Sequence, residues 1–80
     1  MQSVKVDGHR LRAVREEREL TTTQLAALVS VELGRPVSQS TITKYEMGHR
    51  QPRPQMFGAL CRALRRPKTD LLVQTEGQSV

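Results

Sequence analysis

Aromatic side chains are almost missing from this chain: one tyrosine, Tyr45, one phenylalanine, Phe57, and no tryptophan in 80 residues. Proteins that hold single-stranded nucleic acid stack successive bases on aromatic platforms, so this scarcity argues against that mode of binding. Cysteine is equally scarce. Cys61 stands alone, forms no internal disulfide, and fits a reducing, cytoplasmic setting. The longest purely apolar run, Leu25 to Val29, falls far below the roughly 18 residues of a membrane span. The opening Met1-Gln-Ser-Val-Lys-Val-Asp7 has no apolar stretch of the signal-peptide kind, so no membrane partner is expected. His9, His49 and Cys61 do not occur at metal-ligand spacing, and no zinc or other metal is expected. No acid–base pair, nucleophile–base pair or phosphate loop is evident, so an enzyme and a bound cofactor are not expected either.

What the chain does have is positive charge. Lys plus Arg number 13 against 8 Asp plus Glu, a formal net charge of +5, with an isoelectric point near 10.4. Such a balance attracts phosphate polyanions. A reader of duplex DNA needs no aromatic platform, so the charge and the missing aromatics are compatible. The length suits one domain over residues 1–80. Its core is expected within about 8–73, with 74–80 as a flexible tail. A chain this short buries only about 60% of its unfolded surface.

The hydrophobic pattern is helical throughout and predicts five short helices. Asp7 is placed to cap the first, Gly8 to Arg18, whose apolar face is thin: Leu11 and Val14, with Leu20 just beyond. Glu16, Glu17 and Glu19 read as a solvated face. Thr21-Thr-Thr-Gln24 has the capping-box form and opens a second helix at Thr21 or Thr22. Leu25, Leu28, Val29 and Leu33 recur there at helical spacing, and Gly34 and Pro36 end it. Ser38 caps the third helix, Gln39 to Met47, and Gly48 closes it. The inward positions of that helix are Ile42 and Tyr45. Gln39, Ser40, Thr43 and Lys44 form an outer face of hydrogen-bonding groups, suited to base edges or, equally, to solvent. Pro54 starts the fourth helix. Phe57, Leu60, Cys61 and Leu64 make its apolar face, with Met56 beside it, so Cys61 reads as a core residue. Pro67 precedes a fifth helix, around Lys68 to Val73, anchored by Leu71 and Leu72.

Two charges occupy core-facing positions. Arg15 follows Leu11 by one helical turn, and Glu46 follows Ile42 in the same way. A lone buried charge is very costly, so opposite signs at two such positions predict one ion pair joining the first and third helices.

The ordered set Leu11-Arg-Ala-Val-Arg15, Leu20-Thr-Thr-Thr-Gln-Leu-Ala26, Val37-Ser-Gln-Ser-Thr-Ile-Thr-Lys-Tyr-Glu-Met-Gly48, Arg50-Gln-Pro52, Leu60-Cys-Arg-Ala-Leu64 and Asp70-Leu-Leu72 resembles the lambda-repressor-like helix-turn-helix family, the Cro/cI or Xre group. The resemblance covers about residues 8–73. It implies an all-α, compact five-helix DNA-binding domain whose second and third helices form the helix-turn-helix, the third entering the major groove of B-DNA. It also implies the Arg15–Glu46 pair. The chain departs from the family in three places. Thr22 stands where the family usually has Gln. The stretch from Ala26 to Val37 is about six residues longer than the usual tight turn, which extends the second helix to about Leu33 before the loop Gly34-Arg-Pro36. Arg66 replaces an apolar residue in the link to the fifth helix, where Pro67 is expected to pack instead.

The resemblance implies roles for particular residues. Gln39, Ser40 and Lys44, with Thr43 as a weaker member, are expected to contact bases. Gln pairs with adenine, Lys donates to guanine, and the Thr methyl meets thymine. Thr22, Ser38, Thr41, Arg50 and Arg53 are expected to contact phosphates, helped by backbone amides at the starts of the second and fourth helices. Arg50 also reads as a solvated loop residue, and His49 as a loop residue rather than a ligand. Arg35, in the inserted loop, is a candidate for the DNA backbone or a groove edge. Arg62, Arg65, Arg66 and Lys68 read as a solvated face, with a partner contact as the alternative. The partner implied is double-stranded DNA, expected to be bound by a weak or DNA-induced homodimer through the fifth helix and tail, as a repressor or other transcriptional regulator in the cytoplasm and nucleoid. The chain has no room for an effector domain, and no small-molecule ligand is expected. The rival reading is a protein-interaction module of the same fold, an antitoxin or coactivator-like adaptor, which calls for an apolar outer face on the third helix.

Overall fold

The computed structural model describes residues 5–73. Four α-helices follow one another: α1 (Gly8–Glu17), α2 (Thr22–Leu33), α3 (Gln39–Glu46) and α4 (Pro54–Leu64). Local chemistry explains each boundary. The Asp7 carboxylate accepts from the amides of His9 (2.9 Å) and Arg10 (3.4 Å) at the start of α1. Thr21 and Gln24 exchange reciprocal side chain–backbone bonds of 2.9 and 3.0 Å, so the capping box of α2 is closed. Gly34 terminates α2 in the left-handed conformation, φ 73°, which glycine adopts without steric cost. Ser38 caps α3 through the Thr41 amide. Arg53 precedes α4 and gives it no side-chain cap.

The fifth helix is a correction. Lys68–Asp70 forms a single 3-10 turn, and Leu72 lies in an isolated antiparallel bridge with Val6. The Asp7 amide donates to the Leu71 carbonyl at 2.8 Å and the Val73 amide to the Lys5 carbonyl at 2.9 Å. Pro67 leaves too few residues for a helix before this pairing captures the backbone. Residues 74–80, expected as a flexible tail, lie outside the described residues.

Leu11, Leu25, Val29, Ile42, Leu60, Leu64 and Leu71 are fully buried and bring every element to one core. Burying a side chain of this size contributes about 1.5–3 kcal/mol. α2 packs on α4 and α3, while α1 packs on α3. Leu28, expected on the inward face of α2, is 40% exposed, and Val31 is 78% exposed. The inward stripe of α2 is narrower than its apolar content, because Leu25, Ala26 and Val29 already fill the space facing α3 and α4. Pro67 is exposed; Arg66 is the residue that packs, half-buried, with Glu17 and Asp70 as its ion-pair partners. Arg62 likewise pairs with Glu32 at 2.8 Å, so two members of the supposed solvated cluster tie helices together.

Candidate nucleic-acid interface

The exposed face of α3 is positioned from behind by one ion pair. Arg15 Nε donates to Glu46 Oε2 at 2.6 Å and Nη2 to Oε1 at 3.1 Å, while Nη1 donates to the Leu20 carbonyl at 2.8 Å. The two side chains are only 10% and 7% exposed. The hydrogen bond to Glu46 raises the Arg15 pKa above its ordinary value, against the effect of burial, so the guanidinium stays charged. The pair links α1, the α1–α2 turn and the end of α3. Gly8 completes this contact. A Cβ there would lie 2.2 Å from the Glu46 carbonyl oxygen, so the start of α1 meets the α3 backbone at a distance that only glycine allows.

At its other end α3 is held by α2. Gln39 Nε2 donates to Thr22 Oγ1 at 3.1 Å and to Thr43 Oγ1 at 3.2 Å. Thr22 therefore braces α3 as an acceptor, and its own hydroxyl proton remains available to an anion. The Gln39 Oε1 is likewise left as a free acceptor. Ser40 and Lys44 are exposed beside Gln39, with Thr43 half-buried. Lys44 makes no ion pair among the described residues. Ser30 fixes the approach to α3: its hydroxyl donates to the Ala26 carbonyl at 2.7 Å and accepts from the Val37 amide at 2.8 Å. A helical serine shortly before the Gly34 stop is the only sequence sign of that role.

The expected phosphate-binding residues divide into two places. Thr22 lies with Gln39 and Thr43. Ser38, Thr41, Arg50 and Arg53 instead line a cleft of about 630 Å³ between the start of α3 and the start of α4. Ser38 Oγ sits 3.0 Å from Thr41 Oγ1 and 3.3 Å from Ser40 Oγ. Gln51, which had no assigned role, borders the cleft and grips the chain's beginning: its amide accepts from Val6 N at 2.9 Å and donates to Val6 O at 3.3 Å.

The charges are segregated. Between Gly34 and Gly58 the only acid is Glu46, which is buried and paired, whereas Arg35, Lys44, Arg50 and Arg53 have no acid partner among the described residues. Elsewhere Arg10, Arg12, Arg62 and Arg66 each face a carboxylate. Lys5, Arg65 and Lys68 are also without an acid partner among the described residues, Lys68 lying 6.0 Å from the Phe57 ring centre.

The third helix is thus braced on two sides, polar on its free face and flanked by cations without an acid partner among the described residues. The helix-turn-helix domain family matches this chain over residues 8–72. The chain belongs to the lambda-repressor-like helix-turn-helix family. Among solved structures, it is similar to the P22 c2 repressor protein in a crystal structure with synthetic operator 9T in the presence of Tl+. The TM-score is 0.67 and the sequence identity 26%, over 76% of this chain and 83% of that one. No curated protein matches it. Within the matched residues α2, of about three turns, is joined to α3 by residues 34–38. No helix among the described residues is long and apolar enough to cross a membrane.

Proposed function

We propose that this protein is a sequence-specific, double-stranded DNA-binding transcriptional regulator and not an enzyme, with α3 reading the major groove. The observation that carries the reading is the free face of α3. Gln39, Ser40 and Lys44 are exposed donors and acceptors on a helix whose only acid is buried against Arg15. The repressor similar to it was solved with an operator, which supports the same partner here.

In this reading Lys44 donates to guanine O6 and N7, and Ser40 serves either base. Gln39 reads as an acceptor through Oε1; bidentate pairing with adenine requires it to release Thr22 or Thr43. Thr43 presents its methyl to thymine. Thr22, Ser38, Thr41, Arg50 and Arg53 hold the backbone and set register without reading sequence. Two copies bind inverted half-sites about 34 Å apart as a weak or DNA-induced homodimer. The interaction-module alternative calls for an apolar face on α3, where Met47 at the C-terminal cap is the one large exposed apolar residue among the described residues; Leu28 and Val31 are on α2.

Selection of bound duplexes from a randomised pool at about 150 mM salt, followed by sequencing, tests the proposal, because non-specific binding fades at that ionic strength. An enriched motif with inverted half-sites is expected, and Lys44→Ala should relax one position by about 1–3 kcal/mol. A folded protein that enriches nothing rejects specific reading and turns attention to a protein partner.

A further inference from the structure

Tyr45 belongs to the core by burial, being only 6% exposed. Its ring fills the space under α3, as its helical spacing from Ile42 predicts. Its hydroxyl is different. It makes no hydrogen bond among the described residues, yet no fully enclosed side-chain polar atom lacks a partner. The hydroxyl therefore reaches accessible space, and Tyr45 lines the cleft between the starts of α3 and α4 together with Arg35, Arg50 and Arg53. Burial pushes the Tyr45 pKa up from its ordinary value, while the charges of Arg50, Arg35 and Arg53 push it down. The hydroxyl stays protonated at neutral pH, able to donate, with three cations close enough to act on it.

Arg35 comes from the lengthened connection between α2 and α3. Gly34 turns the chain there with φ 73°, and the Ser30 hydroxyl pins Val37 on the other side. The loop carrying Arg35 is thus tied at both ends, and its guanidinium has no acid partner among the described residues. The cleft also receives the start of α4, whose first amides have no side-chain cap. Unpaired donors converging from three elements, around a hydroxyl held in place by a buried ring, describe a site prepared for an anion.

We infer that Arg35, Tyr45 and Arg53 form a cradle for one DNA backbone phosphate beside the groove that α3 reads, so that the lengthened α2–α3 connection adds a phosphate contact to the docking surface. This rests on the DNA-binding reading above. The cradle acts on affinity and register, not on base choice.

The test uses the full chain and a duplex obtained by the selection described above. Affinities of wild type, Arg35→Ala and Tyr45→Phe are measured between 50 and 200 mM salt, on the selected duplex and on a random one. Thermal melts confirm that both variants fold; Tyr45→Phe keeps the ring in the core. Arg35→Ala is expected to lower the slope of log affinity against log salt by about 0.9, the contribution of one phosphate contact. That is about a 3-fold smaller loss of affinity across the salt range, on both duplexes. Tyr45→Phe removes no charge and is expected to weaken binding about tenfold with the slope unchanged. Replacing one phosphate at a time by an uncharged methylphosphonate should reveal a position that weakens wild type more than it weakens either variant. Specific binding by wild type with both variants unaltered overturns the cradle and leaves the regulator reading standing. No duplex binding by wild type overturns both. Saturable binding of inorganic phosphate that both variants abolish, with duplex binding unaltered, assigns the cleft to a free anion and overturns the inference.

Discussion

Replacing Arg15 by Ala should be the most damaging single change outside the apolar core. The guanidinium makes three donations, two to Glu46 and one to the Leu20 carbonyl. The Glu46 carboxylate is 7% exposed and has no other hydrogen-bond donor among the described residues. Truncation therefore leaves a buried negative charge without its partner, and a half-buried carbonyl without its donor. Breaking a buried pair in this way costs about 3–5 kcal/mol. A domain of this length has only about 4–12 kcal/mol of stability in total. The variant should melt on the order of 20 °C lower, or fail to fold at all. Thermal and urea unfolding followed by circular dichroism measure the loss. The pair Arg15→Met with Glu46→Leu separates burial from pairing. Apolar replacement of both partners is often neutral or better, so the double variant should recover most of the stability lost by the single one. An Arg15→Ala protein within about 1 kcal/mol of wild type, or a double variant as unstable as the single, would refute the argument that an orphaned charge dominates.

Gly8→Ala separates helix propensity from packing. Alanine is the better helix former by about 1 kcal/mol, but its Cβ would collide with the Glu46 and Tyr45 carbonyl oxygens at 2.2 and 2.8 Å. We expect destabilisation of about 1–3 kcal/mol in urea unfolding; a gain in stability would show that α1 and α3 separate freely. Ser30→Ala should strand the Val37 amide, cost about 1–3 kcal/mol, and speed hydrogen exchange at Val37. Unaltered exchange there would mean that the loop is held by something else. Burial holds the Cys61 thiol above its ordinary value of 9.0, with Lys68 and Arg62 opposing. The folded thiol keeps its proton where the unfolded one loses it, so this stability is complete below about pH 9 and declines as pH rises further. The urea midpoint should therefore fall more steeply between pH 8 and 10 for wild type than for Cys61→Ala, and equal slopes would contradict it.

Local chemistry made much of this molecule legible. The caps at Asp7, Thr21 and Ser38 and the stop at Gly34 involve neighbours within a few residues, so the chain order alone announces them. The Arg15–Glu46 contact was also readable, because two opposite charges at inward positions have one economical solution. Other features were not. Val6 is buried against the Leu71–Leu72 segment, and no periodicity marks a single bridged residue. Leu28 carries the same apolar signal as Leu25, and only the width of the space between α3 and α4 decides that it faces outward. Arg62 and Arg66 look like surface cations until Glu32 and Glu17, far away in sequence, are brought beside them.

The candidate interface divides along the same line. Its donors and acceptors on α3 follow from the helical period, which puts Gln39, Thr43 and Lys44 on one side and Ile42 and Tyr45 on the other. Which of them are braced, and by what, does not. Gln39 lies 17 residues from Thr22, and their contact exists only because α2 and α3 pack together. Tyr45 shows the limit most clearly. By itself the sequence determined that its ring is inward, since burial depends on a repeating apolar stripe. Only the tertiary structure decided that it shares a cleft with three arginines, because Arg35, Arg50 and Arg53 reach that cleft from a loop before α3 and a loop after it, and no local rule relates those positions.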